Sequence, residues 1–451
     1  MRQKQFGAIT AAVTMLCIAA TALAKPNILV IVGDDMGYAD IGIHGCPDIP
    51  TPHIDSLAKS GVRCTNGYVS GPYCSPTRAG LMTGRYQNRF GHEFNPGPTP
   101  AGEFGLPLTE TTLAQRLKDA GYATGMVGKW HLGQERKFQP PSRGFQEFYG
   151  FHGGARSFFP YENNAAPINQ AMYRGYEKLP ETEAYTTDAF AREATAFIDR
   201  HAKEPWFLYL PFNAVHTPMH ATEKYLSRFK QVKDERRRTY CGMMSAMDDA
   251  IGAVLKKLDE NRLTENTLIF FISDNGGPPG NGSNNGQLRG NKAQTWEGGI
   301  RVPYLVQWKG TLPAGKVYDQ PVIQLDISPT ALAAASVEAR DAKFDGVNLL
   351  PFLQNKVTTP PHETLFWRFG EQTAVRHGNY KLVKAVGNTK LELYDLAADI
   401  GEQKDLSQEK PEIFQDVKNR YDQWNKTLVE PRWQRTADKK GKKAKRAAGV
   451  N

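Results

Sequence analysis

Five cysteines in 451 residues are too few to hold a fold together by disulfides. Cys17 falls inside an N-terminal apolar run, which leaves Cys46, Cys64, Cys74 and Cys241. Long apolar stretches are equally scarce: apart from residues 6–20, none approaches the length that crosses a bilayer, so no stable membrane insertion is expected. That run follows Met1-Arg2-Gln3-Lys4 and precedes Ala22-Leu23-Ala24, a small-residue cleavage pattern. Residues 1–24 therefore read as a secretory signal peptide, and the mature chain is expected to begin near Lys25 and to be exported, periplasmic or secreted. The chain also lacks an internal repeat and any recognisable nucleic-acid-binding module. Its formal charge of +9 does not by itself imply nucleic acid as a partner. Part of the excess sits at Lys439, Lys440, Lys442, Lys443, Lys445 and Arg446, which read as a solvated tail.

What the chain does contain is a series of short, nearly unbroken apolar runs. Residues 27–32, Asn-Ile-Leu-Val-Ile-Val, have the composition of a strand buried on both faces. Residues 122–127, 206–211, 267–273 and 304–308 read the same way. Residues 112–120 carry helical spacing through Leu113, Ala114 and Leu117, and Gly121 stops them. Residues 233–258 place Tyr240, Met243, Met247, Ile251, Val254 and Leu258 at three- and four-residue steps, an amphipathic helix. Helices alternating with buried strands predict an α/β sandwich around a large, mainly parallel sheet. After about residue 351 short strands follow at 366–368, 372–376, 381–383 and 391–394, then a helix at 411–428. These predict a small antiparallel sheet with a helix packed on it. The expected organisation is a leader (1–24), a large α/β domain (25–355), a small α+β subdomain (356–435) and a basic tail (436–451). Residues 95–105, 150–175 and 276–290 show no regular pattern.

The polar motifs follow the strands. Asp34-Asp35, Lys129-Trp130-His131, Asn213-Ala214-Val215-His216 and Asp274-Asn275 each stand just past one. Open α/β sheets place ligand sites at the carboxyl ends of their strands, so these motifs point to one shared pocket. Adjacent carboxylates repel and need water or a cation; hard oxygen donors suit Ca²⁺, with Mg²⁺ as the second choice. Helix capping is the competing role for Asp274 and Asn275. A further motif is Cys74-Ser75-Pro76-Thr77-Arg78, followed by Leu81-Met82-Thr83-Gly84-Arg85. A plain cysteine would suggest a nucleophile or a metal ligand; the attached Pro76 and Arg78 argue against both.

The Cys-x-Pro-x-Arg run with its Leu-x-Thr-Gly-Arg sequel resembles the signature of type I sulfatases, of the alkaline phosphatase-like superfamily. Gly128-Lys129-Trp130-His131-Leu132-Gly133, Val215-His216-Thr217-Pro218 and Gly290-Asn291-Lys292 ahead of Trp296-Glu297-Gly298-Gly299 resemble other motifs of that family, and the likeness extends from Asn27 to about Leu428. The resemblance implies that Cys74 is oxidised to formylglycine (3-oxoalanine) by a formylglycine-generating or anaerobic sulfatase-maturating enzyme. It implies that Asp34, Asp35, Asp274, Asn275 and residue 74 hold the cation. One hydroxyl of the hydrated aldehyde would attack sulfur, helped by Asp274. His216 with Lys292 would bind sulfate and protonate the departing oxygen. His131 would take the proton from the second hydroxyl, which provides the exit for sulfate. Arg78 would orient the formylglycine and Lys129 would bridge it to sulfate. The implied substrate is a sulfate monoester, and a bacterial carbohydrate sulfatase is the expectation. Polar and aromatic loops near His92, His152 and Arg156 are read as a platform for a sulfated saccharide. Two alternatives are a formylglycine-dependent phosphonate or phosphodiester hydrolase and a non-catalytic glycan-binding relative.

Overall fold

The computed structural model describes residues 25–97, 104–182 and 184–434; the expected leader and basic tail lie outside the described residues. Ten strands form one sheet in the order Lys316–Tyr318, Val62–Cys64, Tyr304–Gln307, Thr267–Ser273, Asn27–Gly33, Trp206–Pro211, Ala123–Lys129, Glu147–Phe151, Tyr173–Arg174 and Glu177–Lys178. The central five, from Thr267–Ser273 to Glu147–Phe151, run parallel. Tyr304–Gln307 runs antiparallel to both of its neighbours, and the last two strands close the opposite edge antiparallel.

Alternation along the central strands explains why they are apolar throughout. Leu29 and Ile31, Leu208 and Leu210, and Ile269 and Phe271 enter one core. Ile28, Val30 and Val32, Phe207 and Tyr209, and Leu268, Phe270 and Ile272 enter the other. Each side chain faces the opposite way from the next, and both faces are covered. The helices Pro52–Lys59, Thr186–Arg200 and Glu235–Glu260 supply the first core with Leu57, Phe190 and Met243. Cys74–Thr83, Leu113–Asp119 and Ile327–Ala334 supply the second with Met82, Leu117 and Ala331. Leu113–Asp119 starts with a capping box: the Thr112 Oγ1 accepts from the Gln115 amide at 3.1 Å, and Gln115 Oε1 accepts from the Thr112 amide at 2.9 Å.

A separate four-stranded antiparallel sheet follows: Thr364–Phe369, Gln372–His377, Tyr380–Lys384 and Glu392–Asp395, with the helix Pro411–Asn425 against it. Its apolar residues Leu365, Trp367, Val375 and Leu382 join Tyr68, Tyr86 and Trp296 of the preceding region in one cluster. Trp367 Nε1 donates to the Val69 carbonyl at 2.7 Å. Residues 355 and 356 thus lie between two sheets, while one apolar cluster spans both sides of that point. Cys46, Cys64, Cys74 and Cys241 are all free thiols.

Candidate active site

Cys74 is the first residue of the helix Cys74–Thr83, and the motif around it follows from that position. Proline lacks an N–H, but the first turn of a helix leaves its N–H groups without intrahelical partners, so Pro76 fits there. Arg78 lies four residues on, one turn below Cys74 on the same face. Its Nε and Nη2 donate to Asp274 Oδ2 at 3.0 and 2.8 Å, and its Nη1 donates to the Lys129 carbonyl at 2.8 Å. The arginine therefore ties the nucleophile helix to the ends of two central strands. Gly84, in the left-handed region at φ 66°, ends the helix by donating to the Gly80 carbonyl.

The acids stand past their strands as the sequence suggests, and each has a cation. Lys129 Nζ meets Asp34 Oδ2 at 2.5 Å, and Lys292 Nζ meets Asp35 at 2.7 Å. Asn275 Nδ2 donates to Asp35 Oδ1 at 2.8 Å, and His216 Nε2 lies 3.5 Å from Asp35 Oδ2. Ligand atoms of Asp34, Asp35, Cys74 and His216 fall within 4.8 Å of one another. Asp274 is held differently: beyond the two Arg78 contacts, its Oδ1 accepts the Asp35 amide at 3.2 Å. Asp34 Oδ1 and Asn275 Oδ1 are buried without a hydrogen-bond partner among the described residues. Buried oxygens are normally satisfied. Two orphaned oxygens beside an acid pair fit a hard divalent cation.

The electrostatics follow from burial and close charge. Burial pushes the Asp34 carboxyl up to about 8 against the pull of Lys129. Burial also opposes ionisation of Asp35, but Lys292, His216 and Lys129 hold it well below the usual carboxylate range. Burial pushes the Cys74 thiol up to about 12, so the unmodified side chain is a protonated, poor nucleophile at neutral pH. Burial lowers His216 to about 4, against the pull of Asp35, and takes His131 well below the usual histidine range. Asp35 and His131 both occupy the left-handed region, at φ 62° and 59°. Non-glycine residues there cost about 1–3 kcal/mol each and concentrate at functional sites. Gly154 makes room for His131: a Cβ on it would sit 2.6 Å from the imidazole ring.

His131, His216 and Lys292 line a cavity of about 300 Å³ together with Tyr73, Asn95 and His152. His152 is 2 % exposed, stacks on Phe148 and Tyr173, and leaves Nε2 without a hydrogen-bond partner among the described residues. The other two residues assigned to substrate loops are not on this wall. His92 is fully buried, with Nε2 2.7 Å from Ser75 Oγ and its ring edge-on to Trp433, so it braces the nucleophile helix. Arg156 is buried in an ion pair with Glu181 at 2.8 Å and donates to the Ser157 and Gln170 carbonyls. Their polar type suggests a sugar platform, but Arg156 spends its donors within the fold and His92 meets the nucleophile helix through Nε2. Tyr73 was not foreseen; its ring lies 5.0 Å from Lys292 Nζ, and its signal was adjacency to Cys74. Asn95, which ends the polar and aromatic loop that contains His92, accepts the Ser75 amide at 3.1 Å.

The sequence profile described as Sulfatase matches residues 26–337, and that described as N-sulphoglucosamine sulphohydrolase, C-terminal, matches residues 291–427. The chain is 36 % identical over 380 residues to the N-acetylgalactosamine-6-sulfatase of Homo sapiens, covering 79 % of this chain and 71 % of that one. It is 32 % identical over 381 residues to an arylsulfatase of Hemicentrotus pulcherrimus, covering 80 % and 67 %. The solved structure of Ps i-CgsB in complex with k-i-k-neocarrahexaose superposes with a TM-score of 0.86 at 36 % identity, over 92 % of this chain and 96 % of that one. The phosphonate monoester hydrolase of Agrobacterium radiobacter shares the fold, with a TM-score of 0.66 at 19 % identity over 88 % and 94 % of the two chains.

Proposed function

Because the chain belongs to the sulfatase family and is a sulfuric ester hydrolase, we propose that it is an exported enzyme that removes sulfate from a galactose-type saccharide, with formylglycine at position 74 and Ca²⁺ as its cation. The observation that carries this reading is the convergence of Asp34, Asp35, Cys74 and His216, with Asp34 Oδ1 and Asn275 Oδ1 buried and unpartnered among the described residues. The Cys74-Ser75-Pro76-Thr77-Arg78 run at the head of its helix supports a modified residue 74. The N-acetylgalactosamine in one relative's name and the neocarrahexaose bound to another favour the sugar class.

Asp34, Asp35, Asp274 and Asn275 would hold the cation, which would supply polarisation of the sulfate oxygens, and a hydrated formylglycine at position 74 would supply the attacking hydroxyl. The chain's own residues do the rest. Arg78 fixes Asp274 and keeps the helix that bears residue 74 in register with it. Lys129 and Lys292 bring positive charge to where sulfate charge develops, in a site shielded from water. His216 Nδ1 donates to the Thr217 carbonyl at 2.6 Å, which turns Nε2 toward Asp35, 3.5 Å away; protonation of Nε2 beside that carboxylate would make it the acid for a leaving oxygen. His131 lines the same cavity with an unpartnered Nδ1, in position to accept a proton from the second hydroxyl.

The test is desulfation of a panel of defined sulfated oligosaccharides, galactose-type members first, with a phosphonate monoester as the competing substrate. Mass spectrometry of the peptide that contains residue 74 accompanies it. Sulfate release with an aldehyde at position 74 is the expected result. Preferential cleavage of the phosphonate would favour the alternative chemistry instead.

A further inference from the structure

A second cluster of buried charge lies where the four-stranded sheet meets the rest of the chain. Lys381 Nζ pairs with Glu297 at 2.9 Å and with Glu402 at 2.8 Å. Arg301 Nη1 lies 3.4 Å from Glu297 Oε2. Tyr68 donates its hydroxyl to the same Oε2 at 2.7 Å, and Arg376 Nη1 donates to that hydroxyl oxygen at 2.6 Å. Arg301 and Arg376 are 6 % and 5 % exposed, and the other three charged groups are fully buried. Three cations thus face two carboxylates, and burial pushes Glu402 up to about 7, which weakens even that compensation at neutral pH.

Both arginines line a cavity of about 430 Å³. Arg301 uses Nε on the Thr65 carbonyl, and Arg376 uses Nε on the Gly378 carbonyl and Nη1 on Asn66 as well. Neither Nη2 has a protein partner among the described residues. The cavity's lining also carries His362, Asp319 and Glu363. His362 is paired with Asp326 at 2.7 Å, Asp319 accepts from Gln320, and Glu363 is 73 % exposed beside His377. Burying charge without a counter-charge is costly, so the uncompensated guanidinium edge favours an anion entering from solvent. The geometry of guanidinium nitrogens matches an oxyanion.

The cavity is also tied to the catalytic pocket. Arg301 stands nine residues after Lys292, and its guanidinium lies 5.6 Å from the ring of Tyr38, three residues past Asp35. We infer that this cavity is a second oxyanion site, in which Arg301 and Arg376 hold another sulfate group of the same polysulfated glycan whose ester is cleaved at residue 74. The inference rests on the sulfatase reading for its ligand. A sugar polymer held at two points binds more tightly than its single-site fragment.

Crystals soaked in sodium selenate test the site without turnover. An anomalous selenium peak between Arg301 and Arg376 is expected, present in Ala397→Gln and lost in Ala397→Glu. Ala397 is an exposed lining residue, so either substitution leaves the fold alone, and the glutamate supplies an internal carboxylate. A peak at Lys129 and Lys292 reports separately on the proposed catalytic site. Kinetics identify the source of the oxyanion: Ala397→Glu should raise KM for a polysulfated polysaccharide about tenfold, the loss of one charge-assisted contact, with KM for a monosulfated aryl ester unchanged. No selenium peak between the arginines overturns the site. A peak with unchanged polysaccharide KM overturns its role in holding the glycan and leaves a site for free sulfate.

Discussion

The two buried charge clusters differ in which hydrogen-bonding capacity they leave unused. Around residue 74, Asp34, Asp35 and Asp274 face Arg78, Lys129 and Lys292, but burial pushes Asp34 up to about 8, as it pushes Glu402 up to about 7 in the other cluster. At the junction with the small sheet, three cations face Glu297 and Glu402. Charge balance alone therefore does not separate the two clusters. What singles out the first is unused acceptor capacity: among the described residues Asp34 Oδ1, Asn275 Oδ1 and His131 Nδ1 have no hydrogen-bond partner, and they surround the start of the helix that bears Cys74. In the second cluster Tyr68 and the Glu297 amide take up the carboxylates, and the unused capacity belongs to cations that face a cavity. Orphaned acceptors call for a cation; orphaned donors call for an anion.

The largest effect should come from the nucleophile. Cys74→Ala is expected to lower turnover by about 10⁴-fold or more, because residue 74 supplies the attacking atom. Its thermal midpoint should change little, since the side chain contributes small volume to a helix otherwise held by Arg78, Met82 and Gly84. Full activity in a preparation whose residue 74 is entirely unmodified would falsify the mechanism. His216→Ala should come next, and selectively. A sugar alkoxide needs a proton on departure far more than a nitrophenolate does. The expected loss in kcat/KM is about 10²–10⁴-fold on a sulfated sugar and much smaller on an activated aryl sulfate. Equal losses on both would make His216 a sulfate-binding residue and take the acid role from it.

The contrast between the clusters also marks what the sequence could reveal. The central strands were legible because both faces are buried, which leaves unbroken runs such as residues 27–32. Their polar ends were legible because the carboxyl edge of a parallel sheet collects the site. The helix Cys74–Thr83 was not foreseen: all ten residues are buried, so no polar face marks it. Thr186–Arg200 was missed for a different reason. Its apolar residues Ala189, Phe190, Ala194, Phe197 and Ile198 do have helical spacing, but the irregular segment before it obscured its start, which has no side-chain cap. The second cluster draws Tyr68, Glu297 and Glu402 from separate segments and adds Arg376 and Lys381, which face each other across one hairpin, so no local pattern links the whole set. His92 and Arg156 show the limit of residue type as a guide, because polar side chains in loops can be structural donors.

Chelation sharpens the comparison by acting on the first cluster alone. A ligand that binds only the folded state stabilises it by about 2.7 kcal/mol at a hundredfold excess over its dissociation constant. Adding Ca²⁺ to chelated protein should therefore raise the thermal midpoint and restore activity together. Asp34→Asn should remove both responses, whereas Glu402→Gln should keep both. Midpoints that ignore Ca²⁺ and Mg²⁺ alike in the parent protein would sink the cation assignment.

The smallest effect belongs to the second cluster and concerns pH. Glu402 is pushed up from 4.5 to about 7, by burial first and then by Glu297, with Lys381 acting against them. Between those values the folded chain binds more protons at this carboxyl than the unfolded chain does, so its contribution makes stability fall as pH rises through that window. Glu297 has the opposite sign. It is held down to about 2 by Lys381, Arg301 and Arg376 against its own burial, so its contribution is present above the unfolded value and lost as pH falls toward 2. Urea unfolding of the parent and of Glu402→Gln at pH 5, 6, 7 and 8 separates the two carboxylates, because only Glu402 titrates there. The parent should lose on the order of 1–3 kcal/mol more than the variant between pH 5 and pH 8. The amide keeps an acceptor for the Glu297 amide and leaves Lys381 its bond to Glu297, so the variant should still fold. Parallel stability curves would mean that Glu402 is already ionised across the range. The cluster would then carry two full negative charges, and the cation excess facing the cavity would shrink to one.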